Sequence, residues 1–202
     1  CIDIDKIKKK NFKVVVDTVN GAAYKALPEL LEKLNCNIIK INCENTGDFS
    51  RGTEPIPSHL GDLSKVVLDK NADIGLATDP DADRLAIVDN NGKPIGEEST
   101  LVLALESYLK YYQDSQKVVT NLSTSMAVDI IANNYNSTVE RSSVGEINVV
   151  EKMKETGSAI GGEGNGGVIL KESHLGRDSL VASALVLNNL AQSNLPLNKI
   201  ME

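Results

Sequence analysis

The sequence contains no Trp, and aromatic residues make up only 3% of it. A core without large rings must be built from Val, Ile, Leu and Ala, which suits buried sheets covered by helices. Cysteine and histidine are also scarce. Cys1, Cys36 and Cys43 are an odd number without metal-ligand spacing, and the histidines are His59 and His174. A disulfide framework and a Cys/His zinc site are thereby excluded, leaving reduced thiols in a cytosolic protein. Positive charge is in deficit, with a net charge of −7, so there is no broad basic face for nucleic acid or anionic lipid. No apolar run approaches the roughly 20 residues that cross a bilayer. The opening Cys1-Ile2-Asp3-Ile4-Asp5 lacks the charged and apolar regions of a signal peptide. It also lacks an initiator Met, so the expectation is a cytoplasmic chain cut from something longer.

What is present is the ordinary mix of a globular protein, 41% hydrophobic and 24% charged over 202 residues, enough for one large domain or two small ones. Strand-length apolar runs alternate with helix-length amphipathic stretches. The first round predicts a strand over 13–17, a helix over 21–34 interrupted by Pro28, and a strand over 37–42. A helix over 58–70 with Ser58 as N-cap follows, then strands over 73–78 and 85–89 and a turn at Asn90-Asn91-Gly92. The second round predicts helices over 98–112, 125–134, 146–155 and 178–192, with strands over 117–121, 138–142, 159–162 and 168–170. Two such series argue for two α/β domains, residues 1–97 and 98–202. No sequence repeat links them beyond this rhythm.

Two loops carry chemistry. Asp79-Pro80-Asp81-Ala82-Asp83-Arg84 lies between two predicted strands. Three carboxylates at alternate positions repel one another unless a cation lies among them, and oxygen-only ligands suit a hard ion, Mg²⁺ first. Arg84 would lie beside the cluster, where its planar fork could hold a phosphate oxygen. An EF-hand is excluded, because its sixth and twelfth loop positions would be Arg84 and Asn90 instead of Gly and Glu. The second loop is Gly161-Gly162-Glu163-Gly164-Asn165-Gly166-Gly167. Five glycines let the backbone approach a ligand closely, and Glu163 and Asn165 offer an acceptor and a donor-plus-acceptor to neighbouring hydroxyls. A dinucleotide loop would lead into a helix, whereas this one leads into a strand.

The run Ala77-Thr78-Asp79-Pro80-Asp81-Ala82-Asp83-Arg84-Leu85 resembles the metal loop of the α-D-phosphohexomutase superfamily, D-[GP]-D-[GAV]-D-R between two strands. That superfamily holds the phosphoglucomutases, phosphomannomutases and phosphoglucosamine mutases. The glycine-rich loop is similar to its sugar loop, G-E-x-S-G-H, with Asn165 where Ser is commoner and Gly167 where His is commoner. Residues 14–22 look like the start of the family's second domain. Val144-Gly145-Glu146-Ile147-Asn148-Val149 and Gly176-Arg177-Asp178 look like landmarks of its third.

The resemblance implies two consecutive three-layer α/β/α domains with mixed sheets, domains II and III of a four-domain mutase. It implies a Mg²⁺ cofactor on Asp79, Asp81 and Asp83, and Arg84 as the catalytic residue steadying a phosphoryl oxygen. Glu163 and Asn165 would bind the hexose phosphate. The missing partners are domains I and IV, which carry the phosphoserine and a phosphate-binding R-x-S-G-T-E-P loop. Arg51-Gly52-Thr53-Glu54-Pro55 has Ser50 in the wrong place for that loop and precedes the metal loop, so it reads as a surface connection. Arg177 is expected to pair with Asp178 or the acidic loop. The alternatives are a metal-dependent phosphatase with Asp79 or Asp81 as nucleophile, and a non-catalytic module binding metal and sugar phosphate.

Overall fold

A computed structural model describes residues 1–201. The first half holds α1 (Ile4–Lys10), β1 (Lys13–Asp17), α2 (Ala26–Lys33), β2 (Asn37–Ile41), α3 (Gly61–Lys70), β3 (Ile74–Thr78) and β4 (Leu85–Val88). The second holds α4 (Glu98–Tyr112), β5 (Lys117–Asn121), α5 (Ala127–Asn134), β6 (Thr138–Ser142), α6 (Glu146–Thr156), β7 (Ile160–Glu163), β8 (Gly167–Leu170), β9 (His174–Arg177), α7 (Ser179–Ser193) and α8 (Leu197–Ile200).

The strands form two mixed sheets of the same topology, in the orders β2-β1-β3-β4 and β6-β5-β7-β8-β9. In each, a central strand lies between two parallel neighbours, and the second neighbour turns back into an antiparallel strand. The alternation of the strands sorts their side chains to opposite faces. In β1, Val15 faces Leu60, Leu63 and Val67 around α3, while Val14 and Val16 face the larger core. In β5, Val119 faces Val149, Val150 and Met153 of α6, while Val118 faces that same larger core. The larger core is continuous through both halves, because α4 and α7 pack together and touch β4 as well as β8. Helix α1 also packs on α7. Both sheets are therefore covered on both faces, and one helical layer serves the two of them.

Several boundaries differ from the sequence expectation. The helix predicted over 21–34 splits into a 3-10 turn, Ala22–Tyr24, and α2. Pro28 sits in the first turn of α2, where its missing N–H leaves no bond unmade. Ser58 does not cap α3. It lies in a 3-10 turn, Pro57–His59, and the helix begins at Gly61 without a side-chain cap, because Leu60 is drawn into the core first. The 90–92 turn forms with a positive φ only at Gly92, while Asp89 Oδ1 accepts from Asn91 N and Lys93 N at 2.9 Å each. Helices α1 and α8 and strand β9, which His174 opens, were not anticipated.

Candidate functional site

The acidic loop closes the β3–β4 turn, whose last paired residues are Thr78 and Leu85. One carboxylate oxygen from each of Asp79, Asp81 and Asp83 lies within 4.8 Å of the others. Ala82 makes this convergence possible by taking a left-handed conformation, φ 66°, with its N–H donating to Asp79 O at 3.2 Å. Its carbonyl accepts from Ser179 N at 3.0 Å, which pins the loop to the start of α7. Asp79 is 2% exposed. Burial, then its hydrogen-bonded contact with Asp83, pushes its carboxyl up to about 7; the Arg84 N–H opposes the shift, and the charges of Asp83 and Asp81 add to it. The dominant physics is burial and like-charge crowding.

Arg84 is held from several sides. Its backbone N–H donates to Asp79 Oδ1 at 3.0 Å, and its Nε lies 3.1 Å from Asp79 Oδ2 and 3.5 Å from Asp83 Oδ1. Both terminal nitrogens grip the Glu54 carboxylate. The segment around Arg51 is thus more than a surface connection. The Arg51 side chain is 5% exposed; its Nε lies 2.9 Å from Asp17 Oδ2, and Nη2 donates to Thr78 O at 2.5 Å. Arg51 and Glu54 were missed as site neighbours because their partners, Asp17 and Arg84, are 30 or more residues away and no periodic pattern joins them.

The glycine-rich loop closes the β7–β8 turn, with Glu163 in the last pair, opposite Gly167. Glu163 is 3% exposed. Its Oε1 accepts from Asn121 Nδ2 at 2.7 Å and Gly145 N at 3.1 Å, and its Oε2 accepts from Arg177 Nη1 at 2.9 Å. A carboxylate has about four acceptor directions, so one remains, on Oε2. Asn165 is half-buried, and its Oδ1 accepts from Gly167 N at 3.2 Å, a contact that does not use its amide N–H donors. The two loops, 80 residues apart, touch. Leu85 N donates to Gly166 O at 3.1 Å and Arg84 bridges to Gly167. Gly166 has φ 92°, and a Cβ there would come within 2.5 Å of Leu85 O, so glycine is required for the approach. Arg177 pairs with the acidic loop, at Asp83, as expected, and also with Glu163 and Glu146; it does not pair with Asp178.

An oxygen-only triad fits a hard divalent cation in its donor chemistry. Asp83 Oδ1 is also buried without a hydrogen-bond partner, an acceptor left over for such an ion. Residues 1–92 match the family described as phosphoglucomutase/phosphomannomutase, alpha/beta/alpha domain II, and residues 96–202 match its alpha/beta/alpha domain III. The chain belongs to the phosphoglucomutase/phosphomannomutase family. Among relatives, it is 35% identical to a phosphoglucomutase/phosphomannomutase of Thermococcus kodakarensis over 100% of this chain and 44% of the relative. It is 37% identical to a probable phosphoglucosamine mutase of Pyrococcus horikoshii over 89% of this chain and 40% of the relative. Among solved structures, a putative phosphomannomutase of Thermus thermophilus shares the fold with a TM-score of 0.89 at 24% identity, over 99% of this chain and 46% of that one. The chain spans less than half the length of these family members. Among the described residues, no helix is long and apolar enough to cross a membrane.

Proposed function

We propose that this chain is the metal- and sugar-binding centre of a phosphohexomutase that interconverts hexose 1-phosphate and hexose 6-phosphate. The observation that carries the reading is the direct stitching of the Asp79, Asp81 and Asp83 triad to the Glu163 loop through Leu85 and Gly166. A cation site and a hydroxyl-recognising loop that share backbone bonds can serve one substrate at once. The names of the relatives support the same reading, both glucosamine and mannose or glucose mutases being among them.

In this proposal Asp79, Asp81 and Asp83 hold Mg²⁺, whose charge would stabilise the phosphoryl group being transferred. Arg84 orients a non-bridging phosphoryl oxygen, which requires the substrate phosphate to take the place that Glu54 holds on its guanidinium. Asn165 donates to a sugar hydroxyl, and Glu163 accepts from one through its remaining Oε2 direction. The boundary between the metal half and the sugar half is placed at residues 97 and 98. The phosphorylated serine and the phosphate-binding loop belong to other domains of the same polypeptide, and the 202-residue chain alone does not turn over. Of the two candidate nucleophiles for a hydrolytic role, Asp79 is almost wholly covered, and Asp81 is exposed but committed to the cation in this proposal.

The full-length gene product is the material for the test. It should equilibrate a hexose 1-phosphate with its 6-phosphate in the presence of Mg²⁺. Asp81→Ala, at an exposed position, should weaken Mn²⁺ binding on the order of a hundredfold, the upper scale of losses at perturbed metal sites, and remove the interconversion. Undiminished activity in that variant would rule out the proposal. Phosphate release by the 202-residue chain itself would favour the hydrolytic role.

A further inference from the structure

Arg177 stands between the two loops. Its guanidinium reaches Asp83 with Nη2 and Glu163 with Nη1, and its Nε lies 3.5 Å from Glu146 Oε2. Its backbone N–H donates to Glu146 Oε1 at 2.8 Å, so the residue is anchored at both ends. The side chain is only 15% exposed, which strengthens each of these charge contacts relative to water. Asp83 belongs to the β3–β4 turn and Glu163 to the end of β7, and one fork holds both.

The sequence has made room for this fork. A Cβ on Gly167 would fall within the Arg177 stem, against Cδ and Cγ. Gly167 is the position at which the family's sugar loop more often carries His. A side chain at 167 and an Arg177 in this pose are mutually exclusive. Arg177 is also next to Asp178, which caps α7 by accepting from Leu180 N at 2.7 Å and Val181 N at 3.1 Å. The cap fixes the backbone from which the fork is aimed.

We infer that Arg177 is a positioning residue that couples occupancy of the aspartate triad to the placement of Glu163. The inference rests on the metal assignment proposed above. A divalent ion taking Asp83 neutralises the charge that draws Nη2, and the guanidinium then leans toward Glu163 and Glu146, the two carboxylates it retains. Glu163 responds because its other oxygen is held by only two hydrogen bonds, from Asn121 and Gly145. Metal binding on one loop thereby resets the acceptor on the other without any movement of the sheets.

Amide NMR of the 202-residue chain during a Mg²⁺ titration tests this, since two backbone N–H groups report on the two ends. Arg84 N donates to Asp79 and reports the triad, whereas Gly145 N donates to Glu163 Oε1 and reports the sugar loop. In the wild-type chain both amides should shift along the same Mg²⁺ curve. Arg177→Lys keeps the charge but cannot fork between two carboxylates. In that variant the Arg84 amide should still shift, while the Gly145 response should be lost. Arg177→Gln, run in parallel, should give the same separation and guards against a folding failure of one variant. A Gly145 amide that shifts equally in all three chains, or stays fixed in the wild type while Arg84 responds, overturns the inference. An Arg84 amide indifferent to Mg²⁺ in the wild type overturns the metal assignment itself.

Discussion

The β3–β4 turn and the β7–β8 turn occupy the same place in two sheets of the same topology, and they are built on opposite principles. The first spans six residues between its last paired strand positions and carries three aspartates that repel one another. The second spans three residues and carries glycines that let it press against β4. One turn stores like charge, and the other supplies closeness. The strand ends beneath them differ in the same way. Asp17 closes β1 with a buried charge matched by Arg51. Asn121 closes β5 with a neutral amide hydrogen-bonded to Glu163, Ser123 and Thr124. The scaffold has thus been used twice, once to hold charge and once to hold shape, and the two turns are in backbone contact.

The largest test of that contrast is at the strand ends. Arg51→Ala would leave Asp17 buried and unpaired, and should cost about 3–5 kcal/mol in urea unfolding. Asn121→Ala removes a neutral group and should cost about 1–3 kcal/mol. Equal losses would erase the distinction. Next comes Gly166→Val, which puts a branched side chain at positive φ against Leu85 O. It should destabilise by about 3 kcal/mol, and a substitution without effect would show that the two turns do not need their close approach.

A smaller effect concerns pH. Asp79, raised to about 7 by burial and its acidic neighbours, must lose its proton to bind a cation. Mg²⁺ affinity should therefore rise by about fivefold between pH 6 and pH 7 and by about tenfold between pH 6 and pH 8, levelling off above pH 8. Because the folded carboxyl lies above its unfolded value, the ion-free chain carries a penalty from Asp79 that is complete above pH 7. The penalty fades as pH falls toward 4. Thermal unfolding with and without Mg²⁺ at pH 6, 7 and 8 would check both signs, and the stabilisation by Mg²⁺ should be largest at pH 8. The smallest effect is Ala82→Gly. It relieves a left-handed alanine and should raise stability by about 0.5–1 kcal/mol net of the added unfolded-state freedom. A loss of stability would show that the acidic turn does not strain its backbone at Ala82.

Much of this arrangement was legible from local pattern. The β1, β5, β6 and α4 boundaries follow from apolar periodicity, and the acidic and glycine-rich turns follow from composition between strands. The pairing of Arg177 with the acidic loop, 94 residues away, was within reach only beside the family resemblance of Gly176-Arg177-Asp178, since no local pattern joins the two. The misread parts all involve a contact distant in sequence. The start of α3 moved because Leu60 is buried, and Ser58 could not compete with that burial. The Arg51 segment looked like a surface loop because nothing nearby in the chain demands a buried cation; the demand comes from Asp17 across the sheet. The hydrogen bonds that hold Glu163 were not legible, because Asn121, Gly145 and Arg177 lie 42, 18 and 14 residues away.

The sequence by itself determined the alternation of strands and helices, the two specialised turns and the chemistry they carry, since each depends on residues a few positions apart. Tertiary structure decided that α4 and α7 serve both sheets, that the two turns share backbone bonds, and that Arg51, Glu54 and Arg177 complete the site. Those choices depend on which surfaces are buried together and which charges lose their water as a result, and burial of that kind is a property of the whole fold.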